Sequence, residues 1–416
     1  MLSIDFIRAN KQKVIAAAKN KGREVDIEKL LKLDDKRKAF IIQIQSLREE
    51  RNKLAKEKTT EAVKEKGRRL KNQLKKLKDE LSVVEKNLND LLSHVPNVPL
   101  DEVPVGDEAA NKEIKKWGKL PKFDFQPKTH IEIGQSLDLL DLERGSAVSG
   151  FRGYFLKNEL ATLHFALLFY TFQKLTKAGF IPIIAPSIVK KFTLFGTGHL
   201  PWSEQDVYKL NDEDAYLAGT SEVAAMAYFS DRTLTEQELP VKVVAFSPCF
   251  RKEAGAYGKD AKGLYRLHEF WKVEQIVLSD NNIDNAKKLH EELEQNAEKI
   301  LQELNLPYRV VLMSTGEMGE PQIKQYDIET WMPSRNGYGE TMSNSIMGDF
   351  QTRRLNIKYK TKEGKTEYCY SLNNTALASP RILIAILENF QQKDGSVVIP
   401  KVLQPLVGFD SIKPKK

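Results

Sequence analysis

The chain has almost no cysteine. Cys249 and Cys369 are its only thiols, 120 positions apart in 416 residues, too few for a disulfide framework or a zinc knuckle, so the usage points to a reducing, cytoplasmic compartment. Histidine is sparse as well, six residues scattered along the chain, and His290-Glu291 is not followed by the second His that a zinc-binding helix requires. No zinc is therefore expected. Long apolar runs are also missing: each is broken by a charge, a Pro or a polar residue well short of the roughly 18 residues a membrane span needs, which excludes a membrane partner. Met1 to Ala18 spaces Leu2, Ile4, Phe6, Ile7, Val14 and Ile15 as an amphipathic helix but carries Asp5 and no continuous apolar core, so it reads as part of the fold and not as a signal. The loop Gly255 to Gly263 contains a Gly-Lys pair without Walker spacing or a following Ser or Thr, which excludes a P-loop. The length itself excludes a single small binding module and fits two to four domains.

What the chain does have is positive charge in one place. The formal net charge is +8. Between Ile27 and Leu91 there are 19 Lys and Arg against 12 Asp and Glu, so nearly all of the excess sits in that segment. The segment has no Pro and only Gly67, and Leu70, Leu74, Leu77, Leu81, Val84, Leu88 and Leu91 recur three and four apart, an a/d heptad seam. Leu30, Leu33, Phe40, Ile44, Leu47 and Leu54 repeat the spacing in the first half, interrupted by Arg37 and Arg51. The pattern predicts an antiparallel helical hairpin roughly 45 Å long, turning near Thr59 and Thr60. A charge-rich heptad segment is commonly a solvated coiled coil that only dimerises. Here Arg48, Arg51, Lys64, Arg68, Arg69 and Lys71 gather toward the tip, which favours contact with a nucleic-acid backbone, where neutralising phosphates releases counterions.

Pro96, Pro99 and Pro104 end the helical segment, and a second, larger domain of mixed strand and helix patterns follows. We place the boundary at 105/106, with the arm at about 27–91 inside the first domain. In the second, Val241 to Glu253 reads as a strand with Cys249, Arg251 and Glu253 on one face. A loop with Gly255, Gly258 and Gly263 and with Lys259, Asp260 and Lys262 follows. A second strand, Leu264 to Leu278, sets Arg266, His268, Phe270, Lys272 and Glu274 on one face and Leu267, Trp271, Val273 and Val277 on the other. A charged, partly aromatic face lines a site or is simply solvated; period two alone leaves both open.

The string FRKEAGAYGKDAKGLYRLHEFWKVE, Phe250 to Glu274, closely resembles motif 2 of the class II aminoacyl-tRNA synthetases, in its seryl-tRNA synthetase version. LTKAGFIPIIAPSIV, with Gly179, Phe180 and Pro186, is similar to motif 1, and SLNNTALASPRILIAILENFQ, with Arg381 ahead of its helix, to motif 3. AGTSEVA resembles the family's serine loop in Thr220, Ser221 and Glu222, and the basic N-terminal hairpin also belongs to this family. The resemblance spans essentially the whole chain. It implies an α+β fold: an N-terminal antiparallel α-helical coiled-coil arm plus a class II antiparallel β-sheet catalytic domain flanked by helices, working as a homodimer through motif 1.

The resemblance also implies a chemistry. L-serine and ATP give seryl-adenylate, which is passed to the 3′ end of serine tRNA; the long arm reaches the tRNA's variable arm, and selenocysteine tRNA stays open as a second acceptor. Arg251 matches the arginine on the α-phosphate and Arg381 the one at the γ-phosphate end, both jobs for a planar guanidinium fork. Phe270 matches the residue that stacks on adenine and Glu253 the acceptor of its amino group. Glu340 and Ser343 match the positions that bind ATP and its magnesium, for which hard oxygen is the expected ligand. Arg251, Arg381 and Glu340 are the catalytic candidates, and Lys252, Arg266, Thr341 and Met342 complete the ATP set. Around serine the family pattern sets Thr220, Ser221, Glu222, Arg251, Glu274 and Thr375, with Asn373 a further candidate two residues before Thr375. Such a pocket rejects alanine because its polar groups would be left unpaired.

Some positions depart from the pattern. Pro380 stands where bacterial relatives usually have Gly, Ile346 and Met347 where an Asn-Cys pair is usual, Ala376 for Gly and Glu269 for Gln. None removes a charge the chemistry needs. Two other readings compete: a paralogue that loads a carrier protein, against which the long arm speaks, and a catalytically dead RNA-binding relative, against which Arg251, Glu274, Glu340 and Arg381 speak.

Overall fold

The computed structural model describes all residues except 212, 255–262 and 416. The expected glycine loop, including Gly255, Gly258, Lys259, Asp260 and Lys262, thus lies outside the described residues, while Gly263 is inside them. The chain folds as two compact units, Met1–Val98 and Pro99–Lys416. The stretch 99–105 is tied to the second: Leu100 N donates to Ile323 O, and Thr315 N donates to Pro104 O.

In the first unit, α1 (Ile4–Ala9) and α2 (Lys11–Asn20) precede two long helices, α3 (Ile27–Leu54) and α4 (Glu61–Ser93). Ser3 caps α1, Asp26 caps α3, and Thr60 caps α4 by accepting from Val63 N, so the chain reverses over the six residues 55–60, ending at Thr60. The α3–α4 seam buries Leu30, Ile44 and Leu54 against Leu70, Leu74, Val84 and Leu88. Leu77, Leu81 and Leu91 are only half-buried, because a two-helix seam covers each knob from one side. Arg51, which interrupts the heptads, is exposed. At the base Leu2, Ile7, Val14, Ile27, Leu92 and Val95 form a small core, with Phe6 and Ile15 left at its rim.

Buried beneath that rim is Asp34. It receives Arg8 at 2.9 Å, Arg37 at 2.8 Å and Lys38 at 3.0 Å. Burial opposes its charge, but the hydrogen bonds from Lys38, Arg8 and Arg37 prevail and hold its carboxyl below the usual range.

The second unit is built on an eight-stranded sheet. In chain order the strands are β1 (Lys112–Trp117), β2 (Ile181–Ile184), β3 (Val241–Phe250), β4 (Glu269–Ser279), β5 (Tyr308–Leu312), β6 (Lys324–Met332), β7 (Gly337–Gly348) and β8 (Tyr370–Ser379). In space they run β1-β5-β6-β7-β8-β4-β3-β2, antiparallel throughout except for the parallel β2–β3 pair at one edge. This is a mixed α+β unit with a largely antiparallel sheet.

Period two decides which face is which. On β4, Val273 and Val277 turn to the main core, where they pack with Leu160, Leu163 and Leu167 of α5 (Asn158–Lys177), Leu293, Ala297 and Ile300 of α7 (Ile283–Glu303) and Ile382 and Leu383 of α9 (Arg381–Asn389). On the opposite face, Ile276 and Leu278 join a second core with Val223 and Met226 of α6 (Ser221–Ala227) and Leu355 of α8 (Phe350–Leu355). Further out on that same face stand Phe270, Lys272 and Glu274. A single strand face therefore changes from core to site within three residues.

Candidate active site

Two adjoining cavities open above the outer half of β4, about 260 Å³ and 430 Å³. Both touch His199, Arg251, Glu253, Glu340 and Arg381, so the site has an inner and an outer compartment joined at those five residues.

The inner compartment is walled by β4, β7, β8 and the start of α6. Strand pairing sets Thr375 opposite Glu274, and Thr375 Oγ1 donates to Glu274 Oε2 at 3.1 Å. Lys272, one pleat along, contacts the same carboxylate at 2.5 Å and Thr375 Oγ1 at 3.3 Å. Thr220 caps α6 through Glu222 N and turns Glu222 inward, where Gln351 Nε2 donates to Glu222 Oε1 at 2.6 Å and Asn373 supplies another hydrogen bond. Burial raises the pKa of both Glu222 and Glu274, against the pull of Gln351 on the first and of Lys272 on the second. The result is a closed polar end with two carboxylates, a lysine, short hydroxyls and an amide. It suits a small zwitterion carrying a hydroxyl.

Where the compartments meet, Arg251 Nε donates to Gly219 O at 3.1 Å and its guanidinium lies 5.1 Å from the centre of the Phe270 ring. Glu253 holds a positive φ of 53° and accepts from Arg266 Nη1 at 3.1 Å, with Arg152 4.0 Å away. Arg381 opens α9 directly after Pro380, which occupies the N-cap. Its Nε donates to Tyr265 O at 3.0 Å and its Nη1 to Glu340 O at 2.9 Å, so the Pro380 departure leaves the guanidinium anchored in the cavity wall. Glu340 is exposed, and Ser343 lies three residues along β7 on the cavity wall. Behind them Asp327 pairs in register with Ser343. Burial first, then the charge of Glu340, holds the Asp327 carboxyl well above the usual range.

Some candidates lie elsewhere. Ser221 borders neither cavity: its hydroxyl is 3.1 Å from that of Ser247. Lys252 is exposed with its ammonium over the Tyr208 ring, and Arg266 lines only the outer compartment. Thr341 and Met342 border the cavity but commit their side chains to the interior, Thr341 Oγ1 to Thr330 and Ile328 O, Met342 to the main core. Ile346 and Ala376 sit in that core, and Glu269 is exposed at the start of β4.

The site also contains residues absent from the sequence-derived set. Lys272 stood on the predicted polar face, so its periodicity could have found it. His199, Gln322 and Gln351 carry no local signal; loop and helix packing brings them in.

On the arm, Arg48, Arg51, Lys64, Arg68, Arg69 and Lys71 are all exposed. Lys64 pairs with Glu61 at 3.2 Å and Arg69 with Glu65 at 2.5 Å, whereas Arg48, Arg51, Arg68 and Lys71 have no ion-pair partner among the described residues. No helix among the described residues is long and apolar enough to cross a membrane.

A largely antiparallel sheet whose strands β4, β7 and β8 wall an arginine-lined cavity, bordered by a helix that begins with Arg381, defines a class II aminoacyl-tRNA synthetase. Residues 206–390 match the model of the tRNA synthetase class II core domain for G, H, P, S and T, and residues 1–99 that of the seryl-tRNA synthetase N-terminal domain. The serine–tRNA ligase of Treponema denticola is 43% identical over 99% of this chain and 100% of its own length, and that of Deinococcus radiodurans 42% over 98% of each. Seryl-tRNA synthetase of Pyrococcus horikoshii, solved with ATP, superposes with a TM-score of 0.93 at 36% identity over the full length of both chains. The Naegleria fowleri cytoplasmic enzyme, solved with AMP, gives 0.89 at 32% identity, covering 100% of this chain and 99% of its own. The chain belongs to the seryl-tRNA synthetase family.

Proposed function

We propose that the protein is a serine–tRNA ligase, which activates L-serine with ATP to seryl-adenylate and pyrophosphate and then esterifies the terminal ribose of serine tRNA. The observation that carries the substrate is the closed polar end around Glu274 and Thr375. Its carboxylates suit the serine ammonium, and its hydroxyl, amide and carboxylate groups suit the serine Oγ. Alanine would leave those groups buried and unpaired.

In the first step a serine carboxylate oxygen attacks the α-phosphorus and pyrophosphate leaves from the opposite side. Both reactants are anions, so the site must hold them in line and offset the charge that builds between them. Arg251 stands at the junction of the compartments, where one guanidinium fork reaches both the carboxylate and the α-phosphate. Lys272 adds a second positive charge deeper in. Arg381, fixed by two backbone carbonyls, receives the γ-phosphate end, while Phe270 and Glu253 take the two recognition features of adenine, its π-face and its amino group. Of the remaining candidates, Arg266, Thr341 and Met342 border the cavities and stay in the ATP-binding set, while Lys252 and Ser221 border neither and drop out of direct contact.

Magnesium fits the donors beside the phosphates. Glu340 and Ser343 offer hard oxygens on one strand. Burial and the charge of Glu340 raise the Asp327 carboxyl pKa, a crowding of negative charge that a nearby cation would relieve. Glu340 and Ser343 would hold the ion, which when bound neutralises phosphate charge.

The arm's unpaired cations Arg48, Arg51, Arg68 and Lys71, with Lys64 and Arg69, form the tRNA backbone contact; serine tRNA is the partner and selenocysteine tRNA a second candidate. A homodimer is supported by apolar surface around motif 1: Phe165 and Phe169 of α5 and Ile181 and Ile184 of edge strand β2 are exposed, Ile184 by 80%. The unpaired, buried thiols of Cys249 and Cys369 support action in the cytoplasm. The test is aminoacylation: labelled serine should become acid-precipitable on serine tRNA in the presence of ATP and magnesium. Absence of charging with folded enzyme would refute the proposal.

A further inference from the structure

We infer that His199 is a further substrate contact: its Nε2 accepts a hydrogen bond from the ribose hydroxyl of the tRNA terminus as that hydroxyl attacks the seryl-adenylate. The inference rests on the ligase reading and adds to it a residue for the second step.

Three observations carry it. His199 is one of the five residues common to both compartments, beside Arg251, so it stands where the outer opening meets the closed serine end. We assign the Thr197 hydroxyl hydrogen to Thr193 O, 3.0 Å away in the preceding turn of its own helix. With the hydrogen there, Thr197 Oγ1 accepts from His199 Nδ1 at 2.9 Å, so the ring hydrogen sits on Nδ1 and Nε2 carries a bare lone pair. Finally, Nε2 has no hydrogen-bond partner among the described residues and is not among the sealed, unpartnered polar atoms of the interior, so it opens to the cavity. Burial, followed by the charges of Arg251 and Lys272, holds the imidazole pKa at about 4, which keeps the ring neutral and the lone pair available at physiological pH.

A bare acceptor needs a donor. In the ligase reading the ammonium and hydroxyl of serine face Glu222, Glu274, Thr220 and Thr375, the serine carboxylate and the phosphates of ATP bring no hydrogen to donate, and the adenine amino group is taken by Glu253. The donors left for the junction are the ribose hydroxyls of ATP and the acceptor hydroxyl of the tRNA; the inference takes the second, and KM for ATP reads the first. The oxygen of the acceptor hydroxyl attacks the carbonyl carbon of the adenylate and an ester C–O bond forms. The acyl–phosphate C–O bond breaks with its electron pair going to AMP, and the hydroxyl proton passes through Nε2 to water. A weakly basic imidazole orients the lone pair for attack and gives the proton up at once.

The experiment separates the two steps in His199→Ala and His199→Gln. Serine-dependent ATP–pyrophosphate exchange reads the first; single-turnover transfer from enzyme-bound seryl-adenylate to serine tRNA reads the second. We expect His199→Ala to keep exchange within about threefold and to slow transfer about 100-fold, the lower end for proton transfer to a positioned side chain. His199→Gln, whose Oε1 accepts the hydrogen bond but takes up no proton, should recover only part of the transfer rate, with the same thermal midpoint as His199→Ala. Transfer by His199→Ala at the wild-type rate, a parallel loss of exchange and transfer, or a raised KM for ATP or serine would overturn the inference. Failure of the wild-type enzyme itself to catalyse exchange would overturn the ligase reading and this inference with it.

Discussion

Thr375 and Glu274 sit directly opposite one another on antiparallel strands, joined by a 3.1 Å hydrogen bond, with Lys272 reaching both. Their register is fixed by the sheet, so the distance between hydroxyl and carboxylate is set by backbone hydrogen bonds and not by loop placement. A bulge at Ala376, between Thr375 and Leu377, returns the next pleat to the core and explains how this small residue is accommodated there.

Thr375→Val keeps the shape and removes the hydroxyl. We expect KM for serine in pyrophosphate exchange to rise about tenfold or more, by the loss of one hydrogen bond to a charged network, while KM for ATP stays put. Equal changes in both would place Thr375 outside the serine pocket.

Arg251→Lys conserves charge and loses the fork. The expected loss in kcat/KM for exchange is about 100-fold, comparable with removing one preorganised donor from a developing charge. Steady-state exchange kinetics check it, and a loss below about threefold would show that a point charge suffices.

The arm predicts a separation of functions. Charge reversal at Arg68, Arg69 and Lys71 should weaken tRNA binding and flatten its dependence on salt by up to about three units of slope, since each phosphate contact contributes about one. Adenylate formation should be unchanged. Equal losses in binding and adenylation would contradict the division of labour.

How far could the sequence be read? The seam of the arm was legible because heptad spacing at Leu70, Leu74 and Leu88 states its own partner face. Strands β3 and β4 were legible in position, but their ends were not: Arg251 and Glu253 fall beyond β3, which ends at Phe250, and residues 264–268 form turns ahead of β4. Alternation cannot tell the last paired residue from the first that leaves the sheet. The buried Asp34 was invisible because Arg8 reaches it from α1, distant in sequence, to join Arg37 and Lys38 of the next turn of α3, and its heptad position reads as a surface charge. Gln351 and His199 were invisible for a related reason. Each reaches the site through tertiary packing, Gln351 from α8 and His199 from the loop that follows Thr197, with no periodicity of its own.

Behind the sheet, Glu294 of α7 is buried, with Asn344 Nδ2 3.0 Å from Oε2 and no partner on Oε1. Burial pushes its pKa up to about 8. A raised carboxyl pKa adds stability that is complete below about 4.5 and is lost as pH climbs through 8. Glu294→Gln is free of that loss, so its thermal midpoint should gain on wild type between pH 6 and pH 9. A constant difference across that range would contradict a protonated Glu294.

The most direct test of the whole account is amino-acid-dependent ATP–pyrophosphate exchange by the purified protein with magnesium, comparing serine with alanine, glycine, threonine and cysteine. The account predicts exchange with serine and at least about 100-fold less with alanine, because alanine leaves Glu274 and Thr375 buried without the hydroxyl they are arranged to meet. Exchange with a different amino acid, or none with any, would contradict it.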